Sequence, residues 1–381
     1  MEDVAIIGVG LHPFGRFPGK SAFDMGADAI RDALSDAGIT WDDIQIAFGG
    51  SVEASNTDAI VNRVGLTGVP FHNVNNGCAT AATALSMTAN AIRYGQADIG
   101  IAVGMDKHPA GAFTGNPEEL ALPHWYAGAG YYLTTLFFAM KINRYMYEHD
   151  IVPRTLAKVA AKNYRHGSIN PNSFRRKPLT EEQILESPML NYPLTQYMYC
   201  APDEGAAATI LCRADRAREF TDRPIFLRAG AVKTRRLGAF EVHSPSMPSK
   251  RVEGPTVDAS RAAYELAGLG PEDVDVAQIQ DTEAGAEVIH MAENGFCEDG
   301  AQNILLETGA TEITGSIPIN TDGGLIANGE PVGASGLRQM YELVNQLRGT
   351  AGVRQVPNDP RVGYAHLYGA PGVAGVSILT R

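Results

Sequence analysis

Cys78 follows a glycine and precedes a run of small helix-forming residues, in Asn73-Val-Asn-Asn-Gly-Cys-Ala-Thr-Ala-Ala-Thr-Ala-Leu85. A thiol at a helix N-terminus feels the positive end of the dipole and unpaired backbone N–H groups, which favour the thiolate and so make a nucleophile. Small neighbours leave room for a substrate carbonyl, and nearby amides can hold an oxyanion. The other cysteines, Cys200, Cys212 and Cys297, are scattered without C-x-x-C spacing, so neither a zinc cage nor a disulfide framework is expected. The plain reading of any one of the four is buried apolar filler. A second candidate is Glu330, held among glycines in Asn320-Thr-Asp-Gly-Gly-Leu-Ile-Ala-Asn-Gly-Glu-Pro-Val-Gly-Ala-Ser-Gly-Leu-Arg338, just ahead of a helix. It reads either as a helix-dipole residue or as an acid or base set opposite the cysteine.

The elements that must position these groups occur twice. Ala33-Leu-Ser-Asp-Ala-Gly-Ile-Thr-Trp-Asp-Asp-Ile-Gln-Ile-Ala-Phe48 returns as Ala263-Tyr-Glu-Leu-Ala-Gly-Leu-Gly-Pro-Glu-Asp-Val-Asp-Val-Ala-Gln278, each a helix, a glycine stop, an acidic turn and a strand. Ala81 to Gly95 and Ser335 to Gly349 form a second pair, each a small-residue entry into an amphipathic helix. The Cys78 stretch and the Asn320–Arg338 stretch are therefore symmetry mates, with Asn320 at the end of a strand. Strands are predicted at Val4–Gly8, Ile44–Gly49, Ile99–Val103 and Gly375–Leu379, and a helix at Ala22–Ala37 stopped by Gly38. Alternating helices and strands give an α/β fold of two pseudo-twofold halves with the site at their seam. The expected division is 1–225 and 226–381. Residues from about 106 to 198 interrupt the pattern as a structured insertion, carrying the aromatic run Trp125–Phe138, which reads as a helix for core or subunit contact, and a basic loop Tyr164–Lys177. That loop is either solvated surface or an anion site.

At 381 residues the chain exceeds what one core usually serves. A formal charge of -12 argues against nucleic acid as the main partner but leaves room for an anionic ligand on a local basic patch. The first residues enter a strand at once without a signal peptide's basic and apolar regions, and no stretch approaches the ~20 apolar residues of a membrane span, so a cytoplasmic protein is expected.

Asn-Asn-Gly-Cys-Ala-Thr at 75–80, Asp203-Glu-Gly-Ala-Ala-Ala208, the Asn320-Thr-Asp-Gly-Gly stretch and Gly329-Glu-Pro-Val-Gly-Ala-Ser-Gly336 resemble the thiolase superfamily in its order and over essentially the whole chain. They are most similar to its sterol-carrier-protein-type, lipid-transfer-like branch. The resemblance implies two thiolase halves in a layered αβαβα arrangement, CoA thioester substrates, a homodimer core, and acyl transfer to Cys78 in a Claisen or retro-Claisen reaction.

The sequence departs from that family at three places. The usual Gly-His-Pro loop reads Gly329-Glu330-Pro331; the branch's His-Asp-Cys-Phe-like segment reads Gln280-Asp281-Thr282-Glu283; and the C-terminal Cys-x-Gly is replaced by His366-Leu-Tyr-Gly369. By its place in that last segment and its near-neutral titration, His366 is the expected base. Tyr368, Glu330, Asp281 and Gln280 would supply an acid, a second base or an oxyanion donor, with Asn320 and Gly369 against the substrate. CoA phosphates would meet Arg165, Arg175, Arg176, Lys177, Lys233 or Arg235. Retention of Cys78 favours thiolysis of an unusual 3-oxoacyl-CoA, branched or aryl. Retro-aldol cleavage of a 3-hydroxyacyl-CoA, as in steroid side-chain aldolases, and a non-catalytic acyl-CoA-binding subunit are the alternatives. Similar proteins, of which the benzoylsuccinyl-CoA thiolase type is one, work with a small DUF35-type partner bearing a zinc ribbon and an OB-fold. Any zinc would belong to that partner, since this chain has no metal-ligand spacing.

Overall fold

The computed structural model describes residues 4–54, 56–113, 116–241, 252–370 and 372–381. The first half runs β1 (Val4–Gly15), α1 (Ala22–Ala37), β2 (Ile46–Gly50), α2 (Val61–Val64), β3 (Phe71–Val74), α3 (Thr80–Arg93) and β4 (Ile99–Lys107). The insertion follows with α4 (His124–Gly128), α5 (Thr134–His149), α6 (Pro153–Ser168), α7 (Glu181–Leu185), β5 (Met189–Asn191) and β6 (Leu194–Thr195), before β7 (Glu204–Arg213) completes the half. The second half comprises β8 (Ile225–Thr234), α8 (Pro255–Ala267), β9 (Val276–Gln278), α9 (Ala284–Glu293), α10 (Gln302–Glu307), α11 (Gly324–Asn328), α12 (Ser335–Arg348), β10 (Val362–Gly369) and β11 (Val373–Thr380).

The duplicated sequence folds as a palindrome. Among the described residues the main sheet runs β3-β2-β4-β7-β1-β8-β11-β10-β9, and a bridge from Ala277 to Ile319 continues it where the mate of β3 belongs. Pairings match term by term: β2 lies parallel to β4 as β9 does to β10, while β4 with β7 and β10 with β11 are antiparallel. The halves join where β1 pairs β8 at Ala5–Phe226 and Ile6–Ile225.

Layering follows from which strand faces are apolar. Val4, Ile6 and Leu211 pack with Leu85 and Ile92 of α3 and Leu337, Leu343 and Leu347 of α12 in a central layer shared by both halves. The opposite face, Ala5, Ile7 and Ile210, takes α1 through Met25, Ile30 and Leu34. In the second half Val376, Ile378 and Tyr364 face Ala259 of α8 and Val288 of α9, with α5 and α6 beyond. The result is the expected αβαβα stack. No described helix is long and apolar enough to cross a membrane.

Helix ends fall where the sequence marks them. Ser21 and Asp24 form a reciprocal capping box on α1, and Gly38 closes it at φ 66° with its N–H on Leu34 and Ser35 carbonyls. Its mate α8 begins with Pro255 and closes on Gly268 at φ 67°. Three expectations need correcting. β1 extends to Gly15, well beyond Gly8, because β7 pairs it out to Glu204. The aromatic run is broken between α4 and α5 by a turn at Gly130 (φ 77°). The basic loop is not all loop, since residues 164–168 form the last turn of α6.

The two halves meet backbone to backbone at the Glu330 loop. A Cβ on Gly104 at the end of β4 would lie 1.9 Å from the carbonyl oxygen of Gly333, so only hydrogen fits there. That contact presses the Glu330-bearing loop of one half against the strand ends of the other.

Candidate active site

Cys78 sits in the turn that feeds α3, between Gly77 at φ 56° and the N-cap Ala79. The Asn76 N–H donates to Thr80 Oγ1 (2.8 Å) and the Thr80 N–H to the Gly77 carbonyl (3.0 Å), which fixes the turn from within. The thiol is therefore presented just before the helix rather than in its first turn. It faces the Glu330 carboxylate, with the Ala370 N–H and its own N–H also directed at the sulfur. Burial and the Glu330 charge push its pKa well above the ordinary thiol value and outweigh the two amides. The expected helix-dipole thiolate is thus corrected. At rest Cys78 is a thiol with a carboxylate beside it.

Glu330 is fully buried between two sulfurs. Besides Cys78, the Cys200 thiol donates to its Oε2 at 3.2 Å, and Gln280 Nε2 donates to its Oε1 at 3.0 Å. Burial raises the Glu330 pKa, while hydrogen bonds from Cys78, Cys200 and Gln280 and the charge of His108 pull against that rise. Burial and Glu330 likewise hold the Cys200 thiol well above its ordinary value. One carboxylate serving two thiols is a proton-sharing cluster whose titration belongs to the group rather than to any member.

The loop carrying Glu330 is clamped from both halves. From the second, Asp281 Oδ1 accepts the Leu325 N–H (2.6 Å) and Oδ2 the Ile326 N–H (3.2 Å), capping α11 immediately ahead of Glu330. From the first, Asp106 Oδ2 accepts the Gly333 N–H (2.6 Å) while its Oδ1 takes Ser51 Oγ (2.6 Å). His108 Nε2 accepts the Val332 N–H (3.2 Å), and its Nδ1 lies 2.9 Å from Glu53. Burial opposes charge on His108, but Asp106 and Glu53 outweigh it and raise its pKa. The Glu330 N–H itself donates to the Ala201 carbonyl at 2.8 Å, tying the loop to the Cys200 segment.

Of the residues singled out by sequence, the structure brings Cys78, Glu330, Gln280 and Gly369 together. Gly369 faces the Cys78 turn so closely that a Cβ would stand 3.4 Å from the Cys78 nitrogen and 2.9 Å from the Asn76 oxygen. The strand's alternation then sends His366 and Tyr368 to the other face of β10. His366 is buried with Nε2 3.0 Å from Thr256 Oγ1 and its ring 4.5 Å from that of His290; burial, His290 and Lys141 drive its pKa well down. Tyr368 donates to Glu241, with Lys141 4.7 Å from its ring centre. His366 as the base at Cys78 is therefore corrected by strand geometry, and Tyr368 as its acid falls with it. Asp281 is spent on α11, and Asn320 on the Ile279 N–H (3.0 Å) and Glu287 (2.8 Å), so neither is presented to Cys78.

The cations disperse. Arg165 pairs with Glu312, Arg176, Lys177 and Lys233 are exposed, and the Arg235 N–H donates to the Gly372 carbonyl (2.8 Å). Arg175 alone of this set lines the cavity of about 790 Å³ that reaches Cys200 from the insertion side. Sequence reasoning missed Cys200, His108 and Ala370. For Cys200 a signal existed, since it lies directly ahead of the Asp203-Glu-Gly-Ala-Ala-Ala208 stretch. His108 and Ala370 acquire meaning only through a backbone contact.

Comparison with known proteins accords with this geometry. A family model described as the thiolase N-terminal domain matches residues 4–177, and one described as thiolase C-terminal domain-like matches residues 242–381. The chain is 35% identical to an acetyl-CoA acetyltransferase of Methanothermobacter thermautotrophicus across 100% of both chains. It is 28% identical to the benzoylsuccinyl-CoA thiolase subunit BbsB of Thauera aromatica, covering 97% of this chain and 95% of that one. Among solved structures, an Ltp2-ChsH2(DUF35) aldolase chain superposes with a TM-score of 0.89 at 22% identity over 100% of this chain and 98% of that one, a likeness of fold.

Proposed function

The chain belongs to the thiolase family of acyltransferases, and from that premise we propose that it cleaves a 3-oxoacyl-CoA with free CoA through an acyl-enzyme on Cys78. The observation that carries this reading is the single buried carboxylate, Glu330, shared by the Cys78 and Cys200 thiols. Glu330 takes the Cys78 proton as sulfur attacks the 3-oxo carbon. The N–H groups of Ala370 and Cys78, which converge on the sulfur, are in place to hold the resulting oxyanion. The C–C bond then breaks, its electron pair passes to the departing thioester as an enolate, and the Cys200 thiol supplies that carbon with a proton. The proton on Glu330 passes to the Cys200 sulfur; CoA thiol then gives its proton to Glu330 and attacks the acyl-Cys78 carbonyl, the Cys78–acyl bond breaks, the leaving sulfur takes the proton from Glu330, and the acyl group departs as a new CoA thioester. Gln280, bonded to Glu330, keeps the carboxylate between the two sulfurs.

Two sulfurs around one base favour covalent transfer over retro-aldol cleavage, which needs no thiol. The apolar cavity beside Cys200 favours a branched or aryl acyl group over a short one. For assembly, we read a homodimer core, supported by the open edge of β3, and a small DUF35-type zinc-ribbon/OB-fold subunit. Support for the subunit is that one relative is itself named a subunit and that an aldolase complex shares the fold.

The reading is tested by intact-protein mass after incubation with a panel of 3-oxoacyl-CoAs, with and without co-purifying small subunits. An acyl adduct discharged by CoA is expected; cleavage of 3-hydroxyacyl-CoAs without any adduct or CoA demand would move the assignment to an aldolase. Cys200→Ala separates the two thiols. It is expected to slow cleavage of the C–C bond about a hundredfold, the scale of a lost general acid, while Cys78 still accepts an acyl group from a simple acyl-CoA. Equal loss of both reactions would remove Cys200 from the proton-transfer role.

A further inference from the structure

Arg175 is half-buried in the wall of the cavity that ends at Cys200. Its Nη1 is fixed by three acceptors, the Tyr164 hydroxyl (3.0 Å) and the carbonyls of Tyr199 (2.7 Å) and Ile326 (3.0 Å). All three are neutral. The more deeply buried arginines have carboxylates, Arg338 with Asp322 and Arg354 with Glu342 at 2.9 Å. Among the described residues no acidic side chain stands within ion-pair distance of Arg175. Asp203 feels its charge, but burial pushes the Asp203 carboxyl up, against carrying a counter-charge, and it makes no ion pair with Arg175. A half-buried guanidinium held only by neutral acceptors is open to a ligand that brings the counter-charge.

The surroundings say which part of a CoA thioester that ligand group belongs to. The carbonyl held by Arg175 is the one joining Tyr199 to Cys200, so the guanidinium stands beside Cys200, whose thiol feels its charge. With a thioester at Cys78, the long pantetheine arm carries the CoA phosphates far from this point. Phe113, Leu133, Phe138, Phe174 and Leu190 give the wall an apolar, largely aromatic side, next to the polar Thr134, Thr135, Asn191, Gln196 and Thr282 and to Arg16, which is paired with Glu204. We propose that the acyl group of the substrate carries a carboxylate, received by Arg175, on a ring-sized apolar body received by the aromatic wall. This rests on the thiolase reading of the site and narrows it to 3-oxoacyl-CoAs with an acidic acyl part. A fixed guanidinium suits that task because a fork with one arm already immobilised loses little freedom on binding.

The test uses the full-length Cys78→Ala protein, which binds without turnover, and matched ligands: glutaryl-CoA, adipyl-CoA and phenylsuccinyl-CoA, each against its methyl ester, with free CoA as reference. Calorimetry is expected to show at least one acid binding about ten- to a hundredfold tighter than its own ester, the range of a charge-assisted contact. Adding Arg175→Gln should erase that difference while leaving the affinities of the esters and of CoA in place, and Arg175→Lys should restore part of it. Equal binding of acid and ester in every pair overturns the proposal. So does a loss in Arg175→Gln that falls alike on acid, ester and free CoA, which marks a structural or phosphate-binding residue. Failure to bind CoA or any acyl-CoA is a different result, and it overturns the thiolase reading itself together with this inference.

Discussion

Alanine at position 78 is expected to lower thiolysis by about 10⁴-fold or more, because the covalent route then has no acceptor and only positioning and polarisation remain. The loss should appear in turnover, with acyl-CoA affinity kept, since Cys78 contributes a reacting atom more than a binding surface. Intact mass would show no adduct in Cys78→Ala under conditions that label the unchanged protein. Fold and melting temperature should hardly move, as the residue is half-buried and its sulfur makes only weak hydrogen bonds, with Glu330 and with the N–H groups of Ala370 and Cys78. If Cys78→Ala cleaved 3-oxoacyl-CoAs at an unchanged rate, the acyl-enzyme would be excluded and another nucleophile, or none, would have to be sought.

Glu330→Gln should be nearly as damaging, by about 10²- to 10⁴-fold, for a different reason. Glutamine keeps the size and one carbonyl acceptor, so the clamp on the loop survives, but it cannot take a proton from either thiol. The pH dependence identifies the effect. In the unchanged protein the base must be ionised, and burial has raised its pKa, so the rate falls as pH drops through that raised value. Glu330→Gln should lack this limb. Stability moves the other way. A carboxyl whose folded-state pKa is raised contributes stability below its unfolded pKa and loses it as pH rises through the folded one. At neutral pH the buried charge is therefore a burden, and the glutamine protein should melt at the same temperature or higher. A variant that is stable, inactive and without the acid limb is the expected result. Retained activity with an unchanged pH profile would remove Glu330 from the chemistry.

A histidine was the obvious base on sequence grounds, and the structure places His366 and Glu330 on opposite sides of that question. His366 and Gly369 lie three residues apart on β10, and an odd spacing on a strand means opposite faces. Gly369 lies against the Cys78 turn, which is what removes His366 and Tyr368 from it. The four carboxylates near the loop are separated in the same way. Asp106 and Asp281 accept backbone N–H groups and hold the loop, Asp203 has no partner on either oxygen and is pushed up by burial, and Glu330 is bonded by two thiols and the Gln280 amide.

By itself the sequence determined the duplication, and with it the palindromic sheet, because repeated apolar spacing and repeated glycine stops depend only on neighbours along the chain. It determined α1 to the residue, since Ser21 and Gly38 are local signals. It also determined the family and the turn of the proposed nucleophile, where small residues and a left-handed glycine are needed in consecutive positions. Only the tertiary structure decided which groups share a proton. Cys200 meets Glu330 across 130 residues, and His108 meets Val332 across 224. Distances of that kind are set by how two half-sheets close on each other, and no local pattern encodes them. The state of the Cys78 thiol was decided there too. The preceding glycine and following helix pointed to a thiolate, but burial, together with the charge of a carboxylate from the other half, outweighs them and keeps the proton on sulfur.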